Sequence, residues 1–103
     1  PLVAKFFEAL ANRISEEGKV ELYWRVYYVY ILRLRNSSYY VGSSSDLKKR
    51  IVQHKQGLVK TTKKHLPVFL EFYCAFAKKH KAVKFERYLK EGSGFAFKNK
   101  HLI

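Results

Sequence analysis

A single cysteine, Cys74, is all the thiol chemistry in this sequence, which excludes an internal disulfide and any thiolate metal cluster. It stands in an apolar run at 69–76 and reads as a buried structural thiol. No stretch is long and apolar enough to span a bilayer. Residues 1–14 lack the long hydrophobic core and small-residue cleavage site of a signal peptide, so a cytoplasmic location is the default expectation. Internal repeats and low-complexity segments are missing too. A length of 103 residues suits one compact domain rather than two.

Acidic residues are the second scarcity. Eight Asp and Glu face 21 Lys and Arg, for a net charge of +13 with His neutral. The excess is unevenly spread. Residues 1–26 hold four basic and four acidic side chains, whereas residues 27–103 hold 17 basic ones against only Asp46, Glu71, Glu86 and Glu91. Such a field attracts polyanions, of which nucleic acid is the usual one; an anionic membrane or an acidic protein would also respond to it. Aromatic residues, by contrast, are plentiful. Eight Tyr and eight Phe supply most of a core, since each buries a large area.

Apolar residues at 3, 6, 7, 10 and 14 recur at helical spacing, which predicts an amphipathic helix over 2–14. Its polar face is too weakly basic for a membrane helix, so packing on the domain, a protein partner or self-association is expected of it. Residues 27–34 are aromatic, β-branched and almost continuously apolar, as in a central strand covered on both sides. Asn36, Ser37 and Ser38 form a turn, and 39–41 returns as a second strand. Ser44 or Ser45 caps a helix opening at Asp46, which shows Leu47, Arg50 or Ile51, and His54 along one side and stops by Gly57. Residues 58–67 are a basic loop, and 68–76 a third strand. Residues 78–91 then read as a helix with Ala82, Phe85 and Leu89 inward, ended by Gly92-Ser93-Gly94; 95–103 form a short last helix. The fold class is therefore α/β (α+β), a small three-stranded antiparallel sheet flanked by helices. Residues 1–25 are a helical extension and 26–103 the domain proper.

A phosphodiesterase working near neutral pH must neutralise the phosphate, deprotonate a water and stabilise the departing oxyanion. Arg50 and His54 share a helix face at i, i+4, and Arg50 has the fork that fits phosphate oxygens. Both also fit a solvated face. Glu86 is one of four acids in the basic section, available either to offset lysines or to hold a magnesium-type ion. Asp46 is explained by the helix start, and Glu71 alternates outward in its strand. Tyr30 and Tyr40 lie in adjacent strands where both hydroxyls can meet, but Tyr27, Tyr28 and Tyr39 have equal claim on composition. Lys48 and Lys49 suit general attraction to a nucleic-acid backbone, as do Lys63, Lys64 and Lys90.

The stretches Tyr28-Val29-Tyr30, Tyr40-Val41-Gly42 and Asp46 to His54, followed by Phe85 to Lys90 and Gly92-Ser93-Gly94, resemble the GIY-YIG catalytic domain in order and spacing. The likeness covers about residues 26–97 and is strongest to small stand-alone bacterial members. The resemblance implies a metal-dependent endonuclease hydrolysing phosphodiester bonds in DNA, with RNA as the other candidate. Glu86 would bind one Mg2+ or Mn2+, Arg50 would clamp the scissile phosphate, and Tyr30 would act as general base. Tyr40 would position water or phosphate, and His54 would support that network; the two tyrosine roles are exchangeable. Tyr28 departs from the motif's first glycine, and the family's C-terminal asparagine has only Asn99 as a stand-in. No added recognition domain is evident, which implies weak sequence selectivity or structure selectivity. Repair, mobile-element maintenance and defence are all compatible. Two alternatives use the same features: a non-catalytic nucleic-acid-binding module, and a partner-docked domain attached through 2–14.

Overall fold

A computed structural model describes residues 26–103; the helix expected over 2–14 lies outside them. The elements run β1 (Tyr27–Arg33), β2 (Tyr39–Ser44), α1 (Leu47–Lys55), a single 3-10 turn (Lys63–His65), β3 (Phe69–Phe76), α2 (Lys79–Lys90) and α3 (Gly92–His101). The sheet order is β2-β1-β3, and β1 is antiparallel to both neighbours. This explains the nearly unbroken apolar run of β1. As the middle strand it is covered on both faces, so alternation with polar residues would bury unpaired polar groups.

Two apolar layers lie on opposite sides of that strand. Val29 and Ile31 join Val41, Ala82 and Leu89 in one cluster, with Phe85 and Leu102 packed against it. Tyr30, Leu32 and Leu34 join Val68 in the other, against Leu47, Ile51, Tyr40 and Tyr73. The period-2 alternation of a strand thus sends odd residues of β1 toward α2 and even ones toward α1. Val29, Ile31 and Leu32 are wholly buried, and burial of each such side chain contributes about 1.5–3 kcal/mol.

Local details differ from the sequence expectation for clear reasons. The cap of α1 is Asp46 itself, whose carboxylate accepts from the Lys49 amide at 3.1 Å, while the Ser44 hydroxyl serves the turn before it. Gly92-Ser93-Gly94 does not form an exit loop. It opens α3, and Gly94 lets that helix cross the end of α2: a Cβ there would collide with the Tyr88 carbonyl. The register between β1 and β3 shifts at Ile31/Leu32, so Glu71 is an extra residue bulged out of the ladder. Its carboxylate accepts from Arg33 Nε at 2.7 Å, and the Arg33 guanidinium also lies 4.5 Å above the Phe69 ring. Among the described residues, no helix is long and apolar enough to cross a membrane.

Candidate functional site

The β1–β2 hairpin and α1 bring four of the five singled-out residues together. Leu32 pairs with Tyr40, and Tyr30 with Gly42, so the two tyrosines are diagonal neighbours on one face. Their ring centroids are 6.3 Å apart. One helical turn separates Arg50 from His54, and the His54 ring meets Tyr40 edge-on at 5.1 Å and Tyr30 at 5.5 Å. Gly42 makes this packing feasible. Any Cβ there would lie 2.5 Å from the Tyr30 hydroxyl, a separation no side chain tolerates.

His54 is fully buried, and both ring nitrogens are used. Nε2 is hydrogen-bonded to the Tyr30 hydroxyl at 2.8 Å, and Nδ1 to the Thr62 hydroxyl at 2.8 Å. Thr62 is itself fully buried. Burial, helped by the Arg50 charge, pushes His54 down to about 4, so the ring is neutral at ordinary pH. Burial likewise pushes the Tyr30 phenol up to about 12; Arg50 opposes that rise, and Tyr40 and Glu86 add to it. Arg50, half-buried, is held above its ordinary value chiefly by the Tyr30 hydroxyl, and its Nη1 donates to Gln53 Oε1 at 3.2 Å. The site thus contains a fixed cation beside a neutral, buried Tyr–His–Thr chain.

Glu86 reaches the same region from the other layer. Ser43 alternates toward α2, and its hydroxyl donates to Glu86 Oε1 at 2.5 Å. Lys90, one turn on, donates to Oε2 at 2.7 Å. Burial raises the Glu86 carboxyl, but the bonds from Lys90 and Ser43 and the charges of Lys90 and Arg87 outweigh it and leave it below its ordinary value. Lys48, Lys49, Lys63 and Lys64 are all solvent-exposed. Ser43, Thr62 and Gln53 were not singled out from the sequence. A serine run and a polar loop carry no signal of which hydroxyl turns inward.

A sheet of this order, with motif tyrosines on adjacent strands and Arg and His on the following helix, defines a GIY-YIG-type domain. The GIY-YIG catalytic domain matches residues 26–100, and the chain belongs to that family. Its similar relatives include a UPF0213 protein of Streptococcus pneumoniae, 39% identical over 64 residues, or 61% of this chain and 65% of that one. A UPF0213 protein of Lacticaseibacillus paracasei is 39% identical over 67 residues, or 64% of this chain and 75% of that one. A solution structure of a UPF0213 protein from Bacillus halodurans is 32% identical, covering 72% of this chain and 80% of that chain at a TM-score of 0.47. This chain spans just under two thirds of the Streptococcus pneumoniae relative's length.

These findings correct the expectation of a magnesium- or manganese-dependent endonuclease. The sequence relatives carry the name UPF0213, which states no nuclease activity. Among the described residues, no group of three or more His, Cys, Asp and Glu stands together where a metal ion could be held. Glu86 is the lone carboxylate, and both its oxygens are engaged, one by an ammonium that already offsets its charge. The donor set therefore does not fit a resident divalent ion. Burial also keeps the Tyr30 hydroxyl in its neutral, protonated form at ordinary pH.

Proposed function

We propose that this domain is a non-catalytic nucleic-acid-binding module that grips the phosphate backbone of DNA. The observation that carries the reading is the charge balance of residues 27–103. Of their four acids, Asp46 caps α1, Glu71 is paired with Arg33 and Glu86 with Lys90. The lysines at 48, 49, 60, 63, 64, 81 and 84 face solvent. A surface whose cations outnumber its anions, with three of its four acids engaged by neighbouring groups and only Glu91 facing solvent without such a bond, attracts a polyanion.

In this reading Arg50 is the central phosphate contact, since its planar fork is anchored at Tyr30 and Gln53 and stays charged. Tyr40 borders it, and Lys48, Lys49, Lys63 and Lys64 supply backbone attraction. Phosphate contacts position a protein without reading sequence, so weak selectivity is expected.

The test is fluorescence anisotropy with labelled DNA duplexes and the matching RNA over a salt series. If about five phosphates are neutralised, log affinity falls against log salt with a slope of about −4.5, roughly 500-fold between 50 and 200 mM. Arg50→Gln should weaken binding uniformly across sequences. Binding that is absent at low salt, or insensitive to salt, refutes the reading. Tighter binding of RNA moves the partner to RNA, and metal-dependent cutting of the duplex overturns the non-catalytic role.

A further inference from the structure

Between α1 and β3 the chain makes a loop, residues 57–66, that carries Lys60, Lys63 and Lys64 and lies within a stretch, 47–70, with no acid at all. A basic loop is ordinarily solvated and loosely held. This one is pinned. Val59 and Thr62 turn inward and are buried, while Lys60, Thr61, Lys63 and Lys64 turn outward. Its backbone is tied at several places. The amides of Thr62 and Lys63 donate to the Val59 carbonyl, that of His65 to Thr62, and that of Arg35 to His65.

The innermost anchor is the Thr62 hydroxyl on His54 Nδ1, with His54 Nε2 on the Tyr30 hydroxyl. All three side chains are essentially inaccessible to solvent. Burying a hydroxyl, an imidazole and a phenol is costly unless each finds a partner, and a connected chain rigidifies what it joins. A loop with only a solvated role has no need of such an anchor. The chain runs from the β1 tyrosine beside Arg50 to the one inward hydroxyl among the loop's lysines.

We infer that residues 57–66 form a preorganised basic clasp for the phosphodiester backbone, and that Thr62, acting through His54, is the positioning residue that holds its lysines in place. The inference rests on the nucleic-acid-binding reading above and names the element and the buried device by which that binding is achieved. Preorganisation is the physical benefit. Lysines on a held backbone lose less freedom on binding than lysines on a loose one, so the same contacts give tighter association.

The experiment measures DNA-duplex affinity and its salt slope for the full chain and four variants: Thr62→Val, Thr62→Ser, the triple change Lys60→Gln, Lys63→Gln, Lys64→Gln, and that triple change combined with Thr62→Val. The triple variant should lose about one unit of salt slope per lysine that contacts phosphate. Thr62→Val, equal in shape but without the hydroxyl, should weaken binding about tenfold or less, while Thr62→Ser restores it. On the triple-lysine background Thr62→Val should cost nothing further, since the lysines it positions are gone. The inference is overturned if the exposed-lysine variant, which leaves the core untouched, binds with wild-type affinity and slope. It is also overturned if Thr62→Val weakens binding equally on both backgrounds, which would make Thr62 merely structural. Wild-type protein that fails to bind DNA sinks the functional reading itself, a result distinct from wild-type binding that ignores the clasp.

Discussion

Replacing Gly42 with alanine probes the centre of the site without deleting any polar group. Gly42 faces Tyr30 across the β1–β2 ladder. A Cβ there would lie 2.5 Å from the Tyr30 hydroxyl oxygen, 2.6 Å from its Cζ and 3.0 Å from Tyr40 Cε1. These are roughly 1 Å inside the ~3.5–4.0 Å at which atoms pack best. Tyr30 has no easy escape, because it is 1% exposed and packed among Leu32, Leu34 and Val68. Overpacking of this kind costs ~1–3 kcal/mol. If the ring moves instead, its bond to His54 is lost in a buried setting, at a further ~1–3 kcal/mol. One strain relieves the other in part, so the expected loss is ~2–4 kcal/mol, a large share of the ~5–15 kcal/mol that holds a domain together. Urea denaturation followed by circular dichroism reads the loss directly, and a thermal midpoint should fall by at least ~8 °C for a domain of this size. Tyr30→Leu removes the two nearest of the three contacting atoms, so on that background Gly42→Ala should cost much less. A Gly42→Ala protein within ~0.5 kcal/mol of wild type would refute the packing argument, as would equal losses on the two backgrounds.

Other consequences are open to the same measurements. The unfolded chain binds a proton at His54 near its ordinary 6.5, whereas the folded chain refuses it until about 4; stability is therefore full above ~6.5 and falls by up to ~3 kcal/mol as pH drops through that window. His54→Gln should flatten that slope, while loss of the Glu86 interactions, whose carboxyl is held low, sets in only at more acid pH. Gly94→Ala should cost ~3 kcal/mol by driving a methyl into the Tyr88 carbonyl, and hydrogen exchange should quicken in α3 before β1. Asp46→Ala removes the carboxylate that accepts from the Lys49 amide and should lower stability by ~1 kcal/mol, with Asp46→Asn close to wild type.

Within residues 26–103 the sequence alone determined the strands, the α-helices and their order, because periodicity is a local property. The nearly unbroken apolar run of β1 identified the middle strand, the turn at 36–38 its hairpin, and the spacing of Ala82, Phe85 and Leu89 the inward side of α2. Order and spacing of the motifs likewise identified the family. What tertiary structure alone decided is how each polar group is satisfied. Nothing local distinguishes Thr62 from Thr61, yet only Thr62 is buried on His54. Nothing local says that His54 is neutral, that Tyr30 is driven up rather than down, or that the bulge at Glu71 hands its carboxylate to Arg33. Glu86 is the clearest case. In sequence Glu86 could offset its lysines or hold an ion, and the family resemblance implied the ion, but pairing with Ser43 across the layers and with Lys90 one turn along engages both oxygens. Charges and hydrogen bonds act through space, and the partners that set their energies are chosen only when the layers close.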